Sequence, residues 1–250
     1  MIWQETEAFI LKTRDSGEAD RWISFYARSG GRLTGLAKGA RRSRRRFLNV
    51  FEPCNLVRMD YRQKKSLLWI EACKLMDPHL GLRENAGKWA CGGLICELML
   101  ELVPEGETQE SLFDLLKQSL WQVAQERYPL NAVLIFLCRL MDISGYMQSF
   151  NSCDFCGKNL RDGRSWRWDP ARGTLVCSDH GSPAPGMLSI DLGSLLLIEG
   201  VRKMPLESVW RLQFSASRRL VLARSLMNWV SYHTGKGFAS MKVIEQLEWA

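Results

Sequence analysis

Long apolar runs are missing from this sequence. The most apolar segment, Ala132 to Leu137, soon meets Arg139, far short of the ~20 residues a helix needs to cross a bilayer. The opening MIWQETEAFILK carries acids where a secretory leader carries bases, and its apolar run is short, so a cytoplasmic protein with no membrane contact is expected. Also missing are the short patterns that mark many enzymes. There is no G-x-x-x-x-G-K-[ST] phosphate loop (Gly235-Lys236 lacks the earlier glycine), no H-E-x-x-H, no G-x-S-x-G, and no G-x-G-x-x-G behind a strand. Carboxylates are plentiful but spread out, with no grouping for two-metal chemistry. No residue is left to carry catalysis and no loop to hold a nucleotide cofactor. A protein that is not an enzyme is the expectation.

What is present is ordinary for a folded chain, 46% hydrophobic and 24% charged, except for where the charge lies. Residues 1–80 hold 16 Lys+Arg against 9 Asp+Glu, while residues 81–250 hold 18 of each. The entire surplus of +7 therefore sits in the first third. Such an excess suits a polyanion, because Lys and Arg replace counterions condensed on phosphates. An acidic membrane surface or an acidic protein would attract it too.

The first 75 residues read as short strands and turns, with partial alternation at Arg21–Tyr26 and clean alternation at Asn55–Tyr61. Glu7–Leu11, Arg21–Tyr26, Arg32–Ala37 after the Gly30-Gly31 turn, Asn55–Tyr61 and Leu67–Ala72 read as five strands. A small closed barrel removes the exposed edges of such a set, and the five-stranded OB-fold is the common solution. Beyond Asp77-Pro78 the period becomes helical: a helix around Cys91–Leu102 stopping near Pro104, one from Thr108, one over Leu130–Ile143 behind Pro129 and before Gly145, and others at Ser189–Val201, Ser217–His233 and Phe238–Trp249. The expected class is α+β: an OB-fold barrel over residues 1–79, then an all-helical domain over 80–250 interrupted by an irregular insert at about 150–183.

Lys38-Gly39-Ala40-Arg41-Arg42-Ser43-Arg44-Arg45-Arg46 places six cations in nine residues with no acid among them. Their mutual repulsion argues for a loop projecting from the barrel, a flexible comb of guanidinium forks that grips phosphates without reading sequence. Arg32, Arg58, Arg62, Lys64 and Lys65 are expected to assist. Phe47 is either a base-stacking platform or the first residue packed back on the barrel.

Cys153-x-x-Cys156, twenty intervening residues, and Cys177-x-x-His180 form the second signature. Two such knuckles let four donors converge on one Zn²⁺ with no open position, the mark of a structural site. Gly157 supplies the tight turn. Ser165–Pro170 and Gly173–Val176 read as a hairpin bringing one pair to the other, and Asp179 is a substitute ligand beside His180. The remaining cysteines, Cys54, Cys73, Cys91, Cys96 and Cys138, read as buried free thiols; His79 and His233 read as surface or half-buried.

Glu18-Ala19-Asp20-Arg21, Gly30-Gly31-Arg32-Leu33, Ala37-Lys38-Gly39-Ala40-Arg41-Arg42 through Arg46-Phe47, and Phe51-Glu52-Pro53 occur in an order that resembles the bacterial recombination-mediator family RecO. The resemblance extends over the helical remainder and the embedded cysteine insert. It implies a protein that binds single- and double-stranded DNA, anneals complementary strands, and with RecR helps load RecA onto DNA coated by single-strand-binding protein (SSB), in the cytoplasm and associated with the nucleoid. It assigns DNA contact to Lys38, Arg41, Arg42, Arg44, Arg45 and Arg46, and zinc to Cys153, Cys156, Cys177 and His180. The fourth ligand departs from the cysteine frequent in zinc-bearing relatives. Arg218, Arg219, Arg224 and Lys242 are candidates for docking the acidic, apolar tail of SSB. An OB-fold RNA-binding factor, or a zinc-stabilised nuclease or glycosylase, are the alternatives.

Overall fold

The computed structural model describes residues 4–43, 45–64, 66–147, 150–163, 165–169, 172–180 and 187–247. They form two compact units, Met1–Gln125 and Glu126–Ala250. No helix among the described residues is long and apolar enough to cross a membrane.

Five strands, β1 (Gln4–Ser16), β2 (Asp20–Ala27), β3 (Gly31–Ala37), β4 (Leu56–Lys64) and β5 (Leu67–Asp77), close into a barrel in the order β1-β2-β3-β5-β4. All neighbours are antiparallel except β3 and β5, which run parallel. This is the arrangement of an OB-fold, and it joins every edge to a partner. Alternate residues fill the interior: Ala8, Ile10, Ile23, Phe25, Ala37, Val57, Met59, Tyr61 and Ile70 are all buried. The strands are longer than the alternation alone indicates. Bulges within β1 and at Asp60/Tyr61 let them bend round the closure.

A single 3₁₀ turn (Leu80–Arg83) leads to α1 (Ala86–Leu102) and α2 (Glu110–Gln125), which belong to the same compact unit as the barrel. The side chain of Asn85 caps α1 by accepting from the Lys88 amide at 2.8 Å. The α1–α2 link is strapped to the β2–β3 hairpin. Gly106 donates to the Arg32 carbonyl at 2.8 Å, and the Tyr26 hydroxyl meets the Gln109 backbone. Gly31 has φ +68°, and a Cβ there would stand 2.0 Å from the Glu107 carbonyl oxygen. Only glycine satisfies both conditions. Helix α2 begins at Glu110, two residues beyond Thr108. His79 proves to be buried, in a left-handed conformation against Phe9.

The second unit holds α3 (Pro129–Ile143), the sheet β6 (Ser165–Asp169), β7 (Thr174–Cys177) and β8 (Leu188–Asp191) in the order β7-β6-β8, and α4 (Leu192–Lys203), α5 (Leu206–Val209), α6 (Ala216–Thr234) and α7 (Ala239–Gln246). Pro129 opens α3, and Gly145, at φ +73°, follows its end. Buried Asn131 on α3 donates to the Leu212 carbonyl and accepts from the Phe214 amide, both at 2.8 Å, clipping the segment before α6 in place. One expectation is corrected. Leu188–Asp191 is a strand paired with β6, and the helix expected from Ser189 starts only at Leu192, behind the Asp191 cap. Pairing with β6 outweighs the weak helical period of four residues. Cys54, Cys91, Cys96 and Cys138 are buried free thiols, and Cys73 is half-buried.

Candidate nucleic-acid interface and metal site

The basic segment joins β3 to β4, and it is a folded strap, not the flexible comb expected from its charge. Gly39, at φ +70°, donates its amide to the Asp20 carboxylate at 2.8 Å, and the Arg41 amide donates to the Ala19 carbonyl at 2.9 Å. These bonds tie the strap to the β1–β2 turn. Its far end is tied to β5 through the Cys73 amide, which donates to the Arg46 carbonyl at 3.1 Å. Phe47, Val50 and Phe51 turn into the barrel core, and the Phe47 and Phe51 rings lie 5.1 Å apart. Phe47 is thus an anchor and presents no stacking face.

The described guanidinium groups, those of Arg41, Arg42, Arg45 and Arg46, stay outside. Arg42 is 71% exposed and pairs with Glu18 at 3.3 Å; Arg41 lies 3.6 Å from Asp15 and donates to the Gly17 carbonyl. Arg46 covers the Phe47 ring and donates to the Lys38 and Glu71 carbonyls. The Glu71 carboxylate also takes Arg62 at 2.9 Å. Lys38, Arg45 and Lys64 are exposed, while Arg44 and Lys65 lie outside the described residues. Arg58 pairs with Glu5 at 3.5 Å. Arg32 is partly buried and gives its Nε to the Val103 carbonyl, a contact that ties β3 to the end of α1. Arg21 was not singled out as a phosphate contact by sequence reasoning, since Glu18 and Asp20 offset its charge in the chain. With Arg41, Arg42 and Phe47 it lines a cleft of about 600 Å³ beneath the strap.

Exposed ion pairs such as these contribute about 0–1 kcal/mol each. A phosphate oxygen can therefore replace Asp15 or Glu18 at little cost. Among its described residues, the strap presents Arg41, Arg42 and Arg46 held in position and only lightly neutralised.

In the second unit, Cys153, Cys156, Cys177 and His180 place their ligand atoms within 4.8 Å of one another. The sulphurs of Cys156 and Cys177 are 3.8 Å apart, and the Cys177 sulphur is 3.3 Å from His180 Nδ1. Donors about 2.3 Å from a tetrahedral ion lie roughly 3.7 Å from one another, so the set fits one metal ion. Gly157, at φ +70°, turns the first knuckle and donates to the Cys153 carbonyl at 2.8 Å. The hairpin positions the second: Cys177 stands opposite Trp166, and Asp154 and Leu175 exchange bonds that fasten the first knuckle to β7. The Cys177 amide donates to the Cys153 sulphur at 3.3 Å, the kind of contact that supports a thiolate ligand. Asp179 is not part of the cluster. Its carboxyl is held below the usual range by Lys158, 2.9 Å away, and that pair links the two knuckles.

Among the residues suggested for an acidic peptide, Arg218 pairs with Asp191 at 3.1 Å beside a cavity of about 210 Å³ lined by Trp168, Ile190, Val221 and Leu222. Arg224 pairs with Glu245 at 2.9 Å, and Lys242 is exposed. Arg219 is buried, over the Tyr128 ring, and is no surface group.

Comparison with known proteins identifies the family. Residues 1–79 match the family model for the recombination protein O N terminal domain, and residues 83–242 match that for its C terminal domain. A DNA repair protein RecO of Syntrophobacter fumaroxidans is 45% identical over 241 residues, covering 96% of each chain. RecO of a Nocardioides species is 30% identical over 255 residues, covering 98% of this chain and all of the relative. RecO of Syntrophus aciditrophicus is 27% identical over 248 residues, covering 98% of this chain and 96% of its own. With an OB-type barrel carrying an arginine strap, a helical second part and a Cys/His cluster that can hold a metal ion, the chain belongs to the RecO family of DNA repair proteins.

Proposed function

We propose that this protein is a recombination mediator that binds single- and double-stranded DNA through residues 1–79, anneals complementary strands, and with RecR helps load RecA onto DNA coated by SSB. The observation that carries this reading is the strap, in which Arg41, Arg42 and Arg46 are held in position outside the barrel and only lightly neutralised. Two DNA strands repel each other. A cationic surface that grips phosphates lowers that repulsion and leaves base edges free to pair. No covalent bond changes and no nucleotide is consumed. Lys38, Arg41, Arg42, Arg44, Arg45 and Arg46 form the main contact, assisted by Arg62, Lys64 and Lys65 and, more remotely, by Arg32.

The metal is zinc, one per chain, with a structural role. Three thiolates and one imidazole suit it, and a full set of protein ligands leaves no open position. The tail of SSB docks on the second unit, its acids on Arg218 and its apolar end in the cavity beside Trp168. The setting is the bacterial cytoplasm, at the nucleoid.

A strand-annealing assay tests the reading. Complementary oligonucleotides, one labelled, are mixed with and without protein at low salt. Faster duplex formation, with both strands intact, is expected. No acceleration contradicts the proposal, and strand cleavage or base release would replace it with an enzyme.

A further inference from the structure

Along β2, β3 and β5, the residues Ile23, Ala37 and Ile70 point into the barrel and are buried. Their neighbours Trp22, Leu36 and Trp69 therefore point outward. The register sets them in one line: Trp22 stands opposite Leu36, and Leu36 stands opposite Trp69. The line continues at both ends, with Arg14 of β1 opposite Trp22 and Arg62 of β4 opposite Trp69. An arginine, an indole, an aliphatic side chain, a second indole and a second arginine thus cross the outer wall of the barrel in a single row.

The barrel core does not call for these indoles. Farther along the same outward face of β2, Tyr26 is fully buried, its hydroxyl on the Gln109 backbone and its ring near Phe113. Trp22 and Trp69 remain partly exposed. Neighbouring strands lie about 4.8 Å apart, so the two indoles rise from backbones roughly 10 Å apart with Leu36 as the floor between them. Beside this row the Ser24 and Thr34 hydroxyls, 3.1 Å apart, add a polar border. The row is continuous with the basic strap. Strand β3 runs from Leu36 directly into Lys38, and Glu71, two residues beyond Trp69, receives Arg62 and Arg46.

We infer that Trp22, Leu36 and Trp69 form a stacking platform for unpaired nucleobases, with Arg14 and Arg62 flanking it to take the adjoining phosphates. The charge complementarity of the row selects a polyanion with flat apolar faces, and a single nucleic-acid strand has both. Aromatic side chains beside a cationic track bind successive bases without regard to sequence, because every base has a π-face. A duplex hides those faces inside its stack. The strap grips either form of DNA through phosphate, while the platform adds affinity only for the single strand.

This inference rests on the proposed DNA binding and is tested on the full chain. Binding to a labelled single-stranded oligonucleotide and to the matching duplex is followed by fluorescence anisotropy over a range of salt. Trp22→Leu and Trp69→Leu keep apolar cover but remove the π-face, and Trp22→Phe and Trp69→Phe retain a ring; circular dichroism confirms that each is folded. Each leucine variant is expected to bind the single strand about tenfold more weakly, and each phenylalanine variant less than about threefold. Duplex affinity and the dependence on salt should hardly change. Leucine variants that bind the single strand like the wild type, or that lose single strand and duplex equally, overturn the platform and leave the strap standing. A wild-type protein that binds neither form of DNA overturns the platform and the DNA-binding reading together.

Discussion

The Glu71 carboxylate lies 2.9 Å from the Arg62 guanidinium. Glu71 is also 3.9 Å from Arg46, so one acid joins the end of the β4–β5 hairpin to the arginine strap. Asp15 and Glu18 serve the other side in the same way, with Arg41 and Arg42. Arg41, Arg42, Arg46 and Arg62 of the basic face thus each stand beside an acid, and the acids compete with DNA phosphate.

That competition predicts a gain of binding. Glu18 is 91% exposed, and its carboxylate meets Arg42 at 3.3 Å. Replacing Glu18 with Gln together with Asp15 with Asn should raise DNA affinity about two- to fivefold at low salt, with the gain fading as salt screens it. Anisotropy titrations at two ionic strengths would show this. Weaker binding at low salt would mean that these acids organise the strap more than they oppose the phosphate.

The metal site predicts one zinc per chain, read by elemental analysis of the purified protein. Stripping it with a chelator, or replacing Cys153 with Ser, should lower the thermal midpoint by roughly 5–10 °C, because a site formed only in the folded state adds its binding energy to stability. Metal-free protein of full stability would contradict a structural zinc.

Gly31 predicts a stability effect in the first unit. Its positive φ and the Glu107 carbonyl leave no room for a Cβ. Gly31→Ala should cost about 2–4 kcal/mol by denaturant titration, since backbone strain and a backbone clash combine. A loss below about 0.5 kcal/mol, within the range of an ordinary surface change, would mean that the α1–α2 link moves freely from the hairpin.

His79 predicts a pH dependence. Burial pushes its imidazole below the ordinary 6.5, although Asp77 beside it pulls the other way. The unfolded chain therefore takes up the proton more readily than the folded one. This contribution to stability is complete above pH 6.5 and is lost as pH falls through the folded value. His79→Asn, which tolerates the left-handed backbone, should flatten the decline in unfolding free energy on the acid side of neutrality. An unchanged decline would place the titration elsewhere.

Much of this architecture was legible in the chain. Short apolar segments between turn signals, cleanly alternating only at Asn55–Tyr61, marked the five strands, and the paired Cys-x-x-Cys and Cys-x-x-His knuckles marked the Cys/His cluster, because these patterns are local. What escaped depends on partners distant in sequence. Leu188–Asp191 is too short to distinguish strand from helix, and β6 decides it. The strap looks free because its repulsion is visible in the chain, while the Ala19 and Asp20 contacts that pin it are not. Arg219 carries the same charge as its neighbour Arg218, yet Tyr128 and the Phe214 carbonyl bury it. The row of Trp22, Leu36 and Trp69 exists only through cross-strand register, since no two of its members are near in sequence.

The measurement closest to the central claim is the salt dependence of duplex binding with Arg41, Arg42, Arg44, Arg45 and Arg46 replaced by Ala. Each phosphate contact adds about 0.9 to the slope of log K against log salt. If the strap is the DNA-contact surface, the variant binds more weakly and its slope flattens, by up to about 4.5 if each arginine meets one phosphate. A variant that remains folded and keeps the wild-type slope would place the DNA on another face of the molecule.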